Sequence, residues 1–129
     1  MKTEEKVTKP RTAIVNFERR IYPRFNVDLP IEYYRIDSSI SYTCRAINTS
    51  EGGLLIHFPE QMDIGQHLRI KLFFASGSEL DTVEVLAEVV WMDIHLGEGW
   101  GDYRCGVKFI DISPEDMRKL KKFLMSLLQ

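Results

Sequence analysis

The segment His67-Leu-Arg-Ile-Lys-Leu-Phe-Phe-Ala75 decides the class of fold, because apolar side chains recur at every second position. These alternate positions are Leu68, Ile70, Leu72 and Phe74. Successive side chains of a β-strand point to opposite faces of the sheet, so this alternation predicts a strand with one buried face. A Ser-Gly-Ser turn follows directly and ends the strand.

Five further strand-like segments flank this one, and turn residues separate them. We expect strands at Val27–Ile36, Tyr42–Ile47, Leu54–Phe58, His67–Ala75, Thr82–Ile94 and Tyr103–Ile110. Antiparallel pairing is favoured because no helical pattern lies between the strands. Six strands are enough to close into a small barrel without exposed edges. The predicted fold is therefore all-β, a six-stranded antiparallel β-barrel with one C-terminal helix.

The helix is predicted at residues 113–128. Ser113 is a good N-cap, Pro114 suits the first helical position, and Asp116 completes a pattern like a capping box. The apolar residues that follow recur at helical spacing, at Met117, Leu120, Leu124, Leu127 and Leu128. This apolar stripe is expected to pack against the sheet or a partner.

Charge is unevenly distributed along the 129 residues, whose net charge is −2. Seven basic and three acidic residues give the first 24 residues a net +4, which leaves −6 for the remainder. An acidic body argues against a general nucleic-acid coat protein. We expect a flexible N-terminal arm at residues 1–18, followed by one domain at residues 19–129.

Several classes of protein are disfavoured by the sequence. Cys44 and Cys105 have no metal-ligand spacing and are interpreted as reduced core residues, and the histidines are scattered. We therefore predict neither a metal nor a cofactor, and no enzyme. No apolar run has the length of a membrane span, and no signal peptide is recognisable, so a cytoplasmic protein without membrane insertion is expected.

A short basic stretch, Glu18–Phe25, is the first candidate for a functional site. It holds Arg19, Arg20 and Arg24, and Pro23 disfavours a helix at the preceding residue. Each planar guanidinium suits phosphate oxygens or the guanine edge, and it also stacks on flat rings. Two interpretations stay open from this stretch alone, namely a site for a small aromatic anion and a solvated basic linker.

Two motifs in order resemble the PilZ domain family. Arg20 and Arg24 fill its Arg-x-x-x-Arg pattern, and Asn48, Ser50 and Gly53 fill its Asp/Asn-x-Ser-x-x-Gly pattern, with Asn in place of the commoner Asp. The later Val-Val-Trp and Cys-Gly-Val-Lys-Phe runs also fit the family. The resemblance covers roughly residues 18–128. A plain hairpin turn is the competing interpretation of the second motif.

The resemblance implies a six-stranded barrel that binds the bacterial second messenger cyclic di-GMP, which has two phosphates and two guanines. In the family the arginine arm wraps over the ligand, and the second motif holds a base. An arginine at the position of Arg19 is associated with two intercalated ligand molecules. Ser50 and Asn48 offer polar groups to the ligand. Gly52 and Gly53 are expected to permit positive φ and a close approach to the backbone.

Two further residues are candidates for the edge of the site. Trp91 shares its predicted strand face with Val83, Val85, Ala87 and Val89, so we expect it in the core. Arg104 either lies outside the barrel near the ligand or pairs with an acidic residue.

The sequence thus predicts a cyclic di-GMP receptor that signals through an unidentified downstream protein. The alternative is a PilZ-like interaction module that binds no nucleotide and acts through its C-terminal helix. A barrel for single-stranded nucleic acid is disfavoured, because such a barrel needs a basic groove along its strands.

Overall fold

The computed structural model describes residues 23–94 and 103–128, which form six strands and one α-helix. The strands are β1 (Phe25–Arg35), β2 (Tyr42–Thr49), β3 (Gly53–Phe58), β4 (His67–Ser76), β5 (Glu79–Ile94) and β6 (Tyr103–Ile112), and the helix is α1 (Pro114–Ser126). Each predicted element is present, with ends that differ by a few residues at most. The predicted arm at residues 1–18 lies outside the described residues.

The strands form a closed barrel in the order β1-β2-β3-β6-β5-β4. Every neighbouring pair is antiparallel, and β4 returns to β1 over a short stretch in which Ile31 pairs with Leu72. The predicted six-stranded antiparallel barrel is therefore confirmed. Of the residues of β1, only those from Ile31 to Arg35 pair with β4.

The barrel interior is filled by the alternating apolar residues of the strands. The inward positions of β4 are all buried, namely Leu68, Ile70, Leu72 and Phe74. Cys105 lies in the same core and Cys44 is partly buried beside it, and both are free thiols. Burial raises the pKa of Cys44 to about 12 and that of Cys105 to about 11, so both stay protonated at neutral pH.

Helix α1 covers the barrel end where β1 starts and β2 stops, which we call the helix end. Leu120, Phe123 and Leu124 are buried there, and Phe123 stacks on Phe74 with ring centroids 4.5 Å apart. Of the five residues of the expected stripe, Leu120 and Leu124 are buried, Met117 is partly buried, and Leu127 and Leu128 are exposed.

The start of α1 has only one half of a capping box. Ser113 Oγ accepts a hydrogen bond from the Asp116 amide at 3.0 Å, as the N-cap role predicts. The Asp116 carboxylate does not return to Ser113 but accepts from the backbone N–H of Glu84 at 3.0 Å. This contact ties the first turn of the helix to β5.

The opposite barrel end, which we call the far end, is closed by a polar cluster of Tyr33, Arg35 and Glu60. The Tyr33 hydroxyl donates to Glu60 Oε2 and Arg35 Nη2 donates to Glu60 Oε1, both at 2.9 Å. The hydrogen bond from Arg35 holds the pKa of Glu60 below its usual value, and burial raises the pKa of Tyr33. Tyr33 is fully buried and packs edge-on against Phe58.

Within the described residues no helix is long and apolar enough to cross a membrane. The same part of the chain holds no group of three or more His, Cys, Asp or Glu side chains placed to bind a metal ion.

Candidate functional site

Asn48 lies on the outer wall of the barrel near the helix end. A register shift separates Ala46, which pairs with Ile56, from Asn48, which pairs with Leu55. The extra residue, Ile47, changes the alternation of β2. Asn48 therefore shares the outer face with Leu55, whereas Ala46 points into the core.

Arg24 and Asn48 bring the two sequence motifs together. Arg24 Nη1 donates a hydrogen bond to Asn48 Oδ1 at 3.0 Å in an exposed position. The pairing of Phe25 with Thr49 explains this contact, because it places the start of β1 beside the end of β2. Arg19 and Arg20 lie outside the described residues, so Arg24 is the one arginine of the basic stretch whose position the structure gives.

Ser50 supports the turn between β2 and β3. It is only 4% exposed, and its Oγ accepts a hydrogen bond from the Gly52 amide at 3.0 Å. Its own backbone N–H donates to the Gly53 carbonyl at 3.0 Å. Ser50, which the sequence predicts as a ligand-binding residue, thus stabilises the turn through hydrogen bonds of its side chain and its backbone.

The expected positive φ at Gly52 and Gly53 is wrong. The glycines with positive φ in the described residues are Gly65 and Gly77, which lie in other turns. Gly53 is instead a buried strand residue, and a Cβ atom there would lie 2.2 Å from the Val107 carbonyl oxygen. Gly53 is therefore required because β3 approaches the backbone of β6 too closely for any side chain.

The expectation that Trp91 lies in the core is also wrong. A register shift between Val89 and Trp91 reverses the alternation of β5, so Trp91 is 42% exposed on the outer wall. Trp91 pairs with Gly106, and a Cβ atom on Gly106 would lie 2.1 Å from the indole Nε1. The indole therefore rests directly on the backbone of β6. The sequence signal was the consecutive Val89-Val90 pair, which interrupts the alternation.

A row of paired residues links Asn48 to Trp91 across the outer wall. Asn48 pairs with Leu55, Leu55 with Gly106, and Gly106 with Trp91. Paired residues in a sheet point to the same face, so these four positions form one row on the outer wall, which we call the floor. Leu55 lies at its centre, the Asn48 amide lies at one side and the Trp91 ring at the other.

The next row of the outer wall carries charged groups. Arg45, His57, Arg104 and Asp93 are cross-strand neighbours in that order. Arg104 Nη2 donates to Asp93 Oδ2 at 2.7 Å, so the second of the two alternatives for Arg104, pairing with an acidic residue, is observed. Its Nε is buried and has no hydrogen-bond partner among the described residues. Arg45 is hydrogen-bonded to Asp28 on β1.

The site also contacts helix α1. A cavity of about 70 Å³ lies between the start of β1, the turn after β2 and the last part of the helix, and it is lined by Pro23, Phe25, Glu51, Lys121, Leu124, Met125 and Leu128. Lys121 Nζ lies 3.8 Å from Glu51 Oε1 in the turn. The helix therefore borders on both motifs.

A larger groove of about 250 Å³ lies on a different wall, along β4 and β5. Arg69 and Lys71 contribute two positive charges to it, and Glu84, Asp111 and Asp116 contribute three negative charges. This near balance does not select an anion, and the groove is not lined by any residue of the two motifs.

A closed six-stranded antiparallel barrel with a helix at one end defines a class of small all-β domains. The PilZ domain family model matches residues 18–126, which is most of the chain. The chain therefore belongs to the PilZ domain family.

Solved structures share this fold. The PilZ domain of Escherichia coli YcgR, solved with c-di-GMP, matches with a TM-score of 0.64 and 17% identity over 84% of this chain and 91% of that one. The Bacillus subtilis inhibitor of motility MotI/DgrA has a TM-score of 0.70 and 16% identity, covering 85% and 51%. The MrkH–c-di-GMP complex of K. pneumonia has a TM-score of 0.65 and 20% identity, covering 85% and 52%.

The chain thus spans about half the length of MotI/DgrA and of MrkH. At these identities the likeness establishes the fold, and the site residues named from the sequence stay predictions. A search of curated proteins gave no sequence match.

Proposed function

We propose that this protein is a receptor for cyclic di-GMP that binds the nucleotide on the outer wall beside Asn48. The hydrogen bond from Arg24 to Asn48 carries this proposal, because it joins a residue of each motif at 3.0 Å in an exposed position. A ligand at this place meets a guanidinium and an amide at once. These are groups that bind phosphate and the edge of a guanine.

The floor between Asn48 and Trp91 suits a flat base. Leu55 gives it an apolar centre, and the exposed indole offers an aromatic edge or face to a guanine. Stacking of a base on an aromatic side chain contributes about 1–3 kcal/mol. Gly106 makes this possible, since any side chain there would push the indole away from the wall.

The arginines Arg20 and Arg24 supply the phosphate contacts, and Arg104 lies one row from the floor as a further guanidinium. Ser50, Gly52 and Gly53 act in this proposal through the shape of the turn, which presents Asn48. In this proposal the basic N-terminal arm closes over the nucleotide and changes the surface offered to a downstream protein. The chain is a receptor in this proposal and performs no catalysis.

Titration calorimetry with cyclic di-GMP tests the proposal. The double variant Arg20→Ala/Arg24→Ala should bind about a hundredfold more weakly or worse, since each of the two charge-assisted contacts contributes about 1.5–3 kcal/mol. Arg118→Ala is the matched control, because it removes one arginine from an exposed position on α1. Cyclic di-AMP should bind poorly. Wild-type affinity in the double variant would contradict the assignment.

Arg19 decides the stoichiometry in this proposal. If its guanidinium reaches a second, intercalated nucleotide, the wild type binds two molecules and Arg19→Leu binds one. The calorimetric ratio at two salt concentrations measures both, and affinity should fall as salt rises. A ratio of one in both proteins would leave Arg19 as a solvated neighbour of the motif.

A module that binds other proteins and no nucleotide is the second candidate. The apolar residues Met125, Leu127 and Leu128 at the end of α1 favour it, because all three are exposed. A wild-type chain that gives no heat of binding with cyclic di-GMP would support this candidate.

A further inference from the structure

We propose that Asn48 hydrogen-bonds to the O6 side of guanine and that the site makes no hydrogen bond to the 2-amino group. The chain should then accept the hypoxanthine analogue cyclic di-IMP almost as well as cyclic di-GMP. This inference rests on the proposed function and adds the base-recognition rule of the site.

The orientation of the Asn48 amide follows from its contact with Arg24. The two ends of an amide differ by chemistry, because oxygen accepts hydrogen bonds and nitrogen donates them. A guanidinium has donors only, so the amide end that faces Arg24 Nη1 at 3.0 Å must be Oδ1. The two N–H donors of Asn48 then belong to the end of the amide turned away from Arg24.

The backbone keeps Asn48 in this place. The bulge at Ile47 turns the side chain outward, and pairing with Leu55 and Asn26 fixes the strand on both sides. The next residue, Thr49, is fully buried, which prevents the end of β2 from rotating. The amide therefore meets a ligand with its donors presented beside the Leu55 floor.

Guanine offers different groups at its two reachable sides. Its N1–H and 2-amino groups are donors, whereas O6 and N7 are acceptors. An aspartate has two acceptor oxygens and matches N1–H together with the 2-amino group. Asparagine has a donor that matches O6 or N7, and the second lone pair of Oδ1 can accept from N1–H.

Hypoxanthine tests this difference, because it keeps O6, N7 and N1–H and lacks only the 2-amino group. An aspartate at this position loses a charge-assisted hydrogen bond when the 2-amino group is removed. An asparagine that contacts O6 loses nothing. With the commoner Asp of the motif, the analogue should therefore bind more weakly than cyclic di-GMP, whereas with the Asn of this chain the two ligands should bind equally well.

The experiment is titration calorimetry of the full chain with cyclic di-GMP and with cyclic di-IMP. The two affinities should agree within about threefold in the wild type and differ about tenfold or more in Asn48→Asp, the size expected for one charge-assisted bond. Asn48→Ala should weaken both ligands and leave their ratio near one. Arg118→Ala, on α1, should reproduce the wild-type values.

A wild type that binds cyclic di-GMP but loses tenfold or more on cyclic di-IMP overturns the inference and leaves the proposed function intact. An equal ratio in the wild type and in Asn48→Asp also overturns it. A wild type that binds neither nucleotide removes the proposed function, and the inference with it. If Asn48→Asp binds neither ligand, the wild-type ratio alone decides.

Discussion

Both ends of the barrel contain an arginine that donates a hydrogen bond to a side chain on a facing segment, at nearly the same distance. At the far end Arg35 reaches Glu60 at 2.9 Å, and at the helix end Arg24 reaches Asn48 at 3.0 Å. The surroundings differ. Glu60 is charged and also holds the hydroxyl of the fully buried Tyr33, whereas the Arg24 pair is exposed and its acceptor is neutral.

The comparison shows that the length of a hydrogen bond alone does not tell how much the contact contributes to stability. A buried hydroxyl that loses its acceptor pays a desolvation penalty, so Glu60 is needed for stability. An exposed pair exchanges its hydrogen bond for one to water at little cost. The exposed hydrogen bond between Arg24 and Asn48 is therefore expected to contribute little to stability.

The largest expected effect on stability is that of Gly53→Val at the helix end. Its Cβ would lie 2.2 Å from the Val107 carbonyl oxygen, and backbone cannot move aside as a flexible side chain does. We expect a loss of about 3 kcal/mol or more in urea unfolding. Gly65→Ala is the glycine control, because its Cβ meets no atom within 4 Å and only its φ of 91° is strained.

That control should lose about 1 kcal/mol. Gly53→Val with a wild-type unfolding curve would show that β3 and β6 do not approach as closely as described.

The next effect is that of Glu60→Ala at the far end. The substitution leaves the buried Tyr33 hydroxyl without its acceptor, so unfolding free energy should fall by about 1–3 kcal/mol. Affinity for cyclic di-GMP should not change, because the far end is remote from both motifs. Removing the hydroxyl first, in Tyr33→Phe, should reduce the cost of Glu60→Ala. If Glu60→Ala lowers the unfolding free energy by the same amount in Tyr33→Phe as in the wild type, the hydrogen bond between Tyr33 and Glu60 does not account for the effect.

A smaller effect is expected from acid at the same cluster. Arg35 lowers the pKa of Glu60 in the folded state, so the unfolded chain binds this proton first as pH falls. The contribution of Glu60 is therefore complete at neutral pH and is lost progressively below about pH 4.3, the usual value for glutamate. Urea unfolding between neutral and acid pH should show a shallower loss in Glu60→Gln than in the wild type. Equal slopes would contradict the role of the ion pair.

The smallest effect on stability is that of Arg24→Ala. Losing an exposed hydrogen bond to Asn48 should change unfolding free energy by no more than about 0.5 kcal/mol. The same substitution should weaken nucleotide binding about tenfold or more. Arg24→Ala and Glu60→Ala are thus expected to give opposite patterns in calorimetry and unfolding. A large loss of stability in Arg24→Ala would contradict the proposed difference between the two barrel ends, because both arginine contacts would then stabilise the fold.

Local patterns predicted the fold well, because strand alternation and helix capping depend on neighbouring residues. The errors came from register shifts, which depend on the partner strand. The shift at Trp91 placed an expected core residue on the outer wall, and close packing of β3 on β6 explained Gly53 better than its φ. The Tyr33–Glu60 contact joins residues 27 positions apart, and a local sequence pattern does not predict a contact between residues so distant in the chain.

The sequence predicted which motif residues belong to the candidate site, but not the contacts that they make. The structure brings Arg24 and Asn48 together and assigns Ser50 a supporting contact. Their chemical roles toward a ligand depend on groups that the sequence does not contain, so these roles need the binding experiments above.

The small cavity between the start of β1 and α1 has a wall that the turn and the helix share. Phe25 and Glu51 line this cavity on the side of the two motifs, and Leu124 and Met125 line it on the helix side. If the proposed nucleotide binding moves this common wall, a protein that binds α1 changes the affinity for the nucleotide by some factor, and the nucleotide changes the affinity of that protein for α1 by the same factor. A downstream protein would then be both the reader of the second messenger and a regulator of its capture.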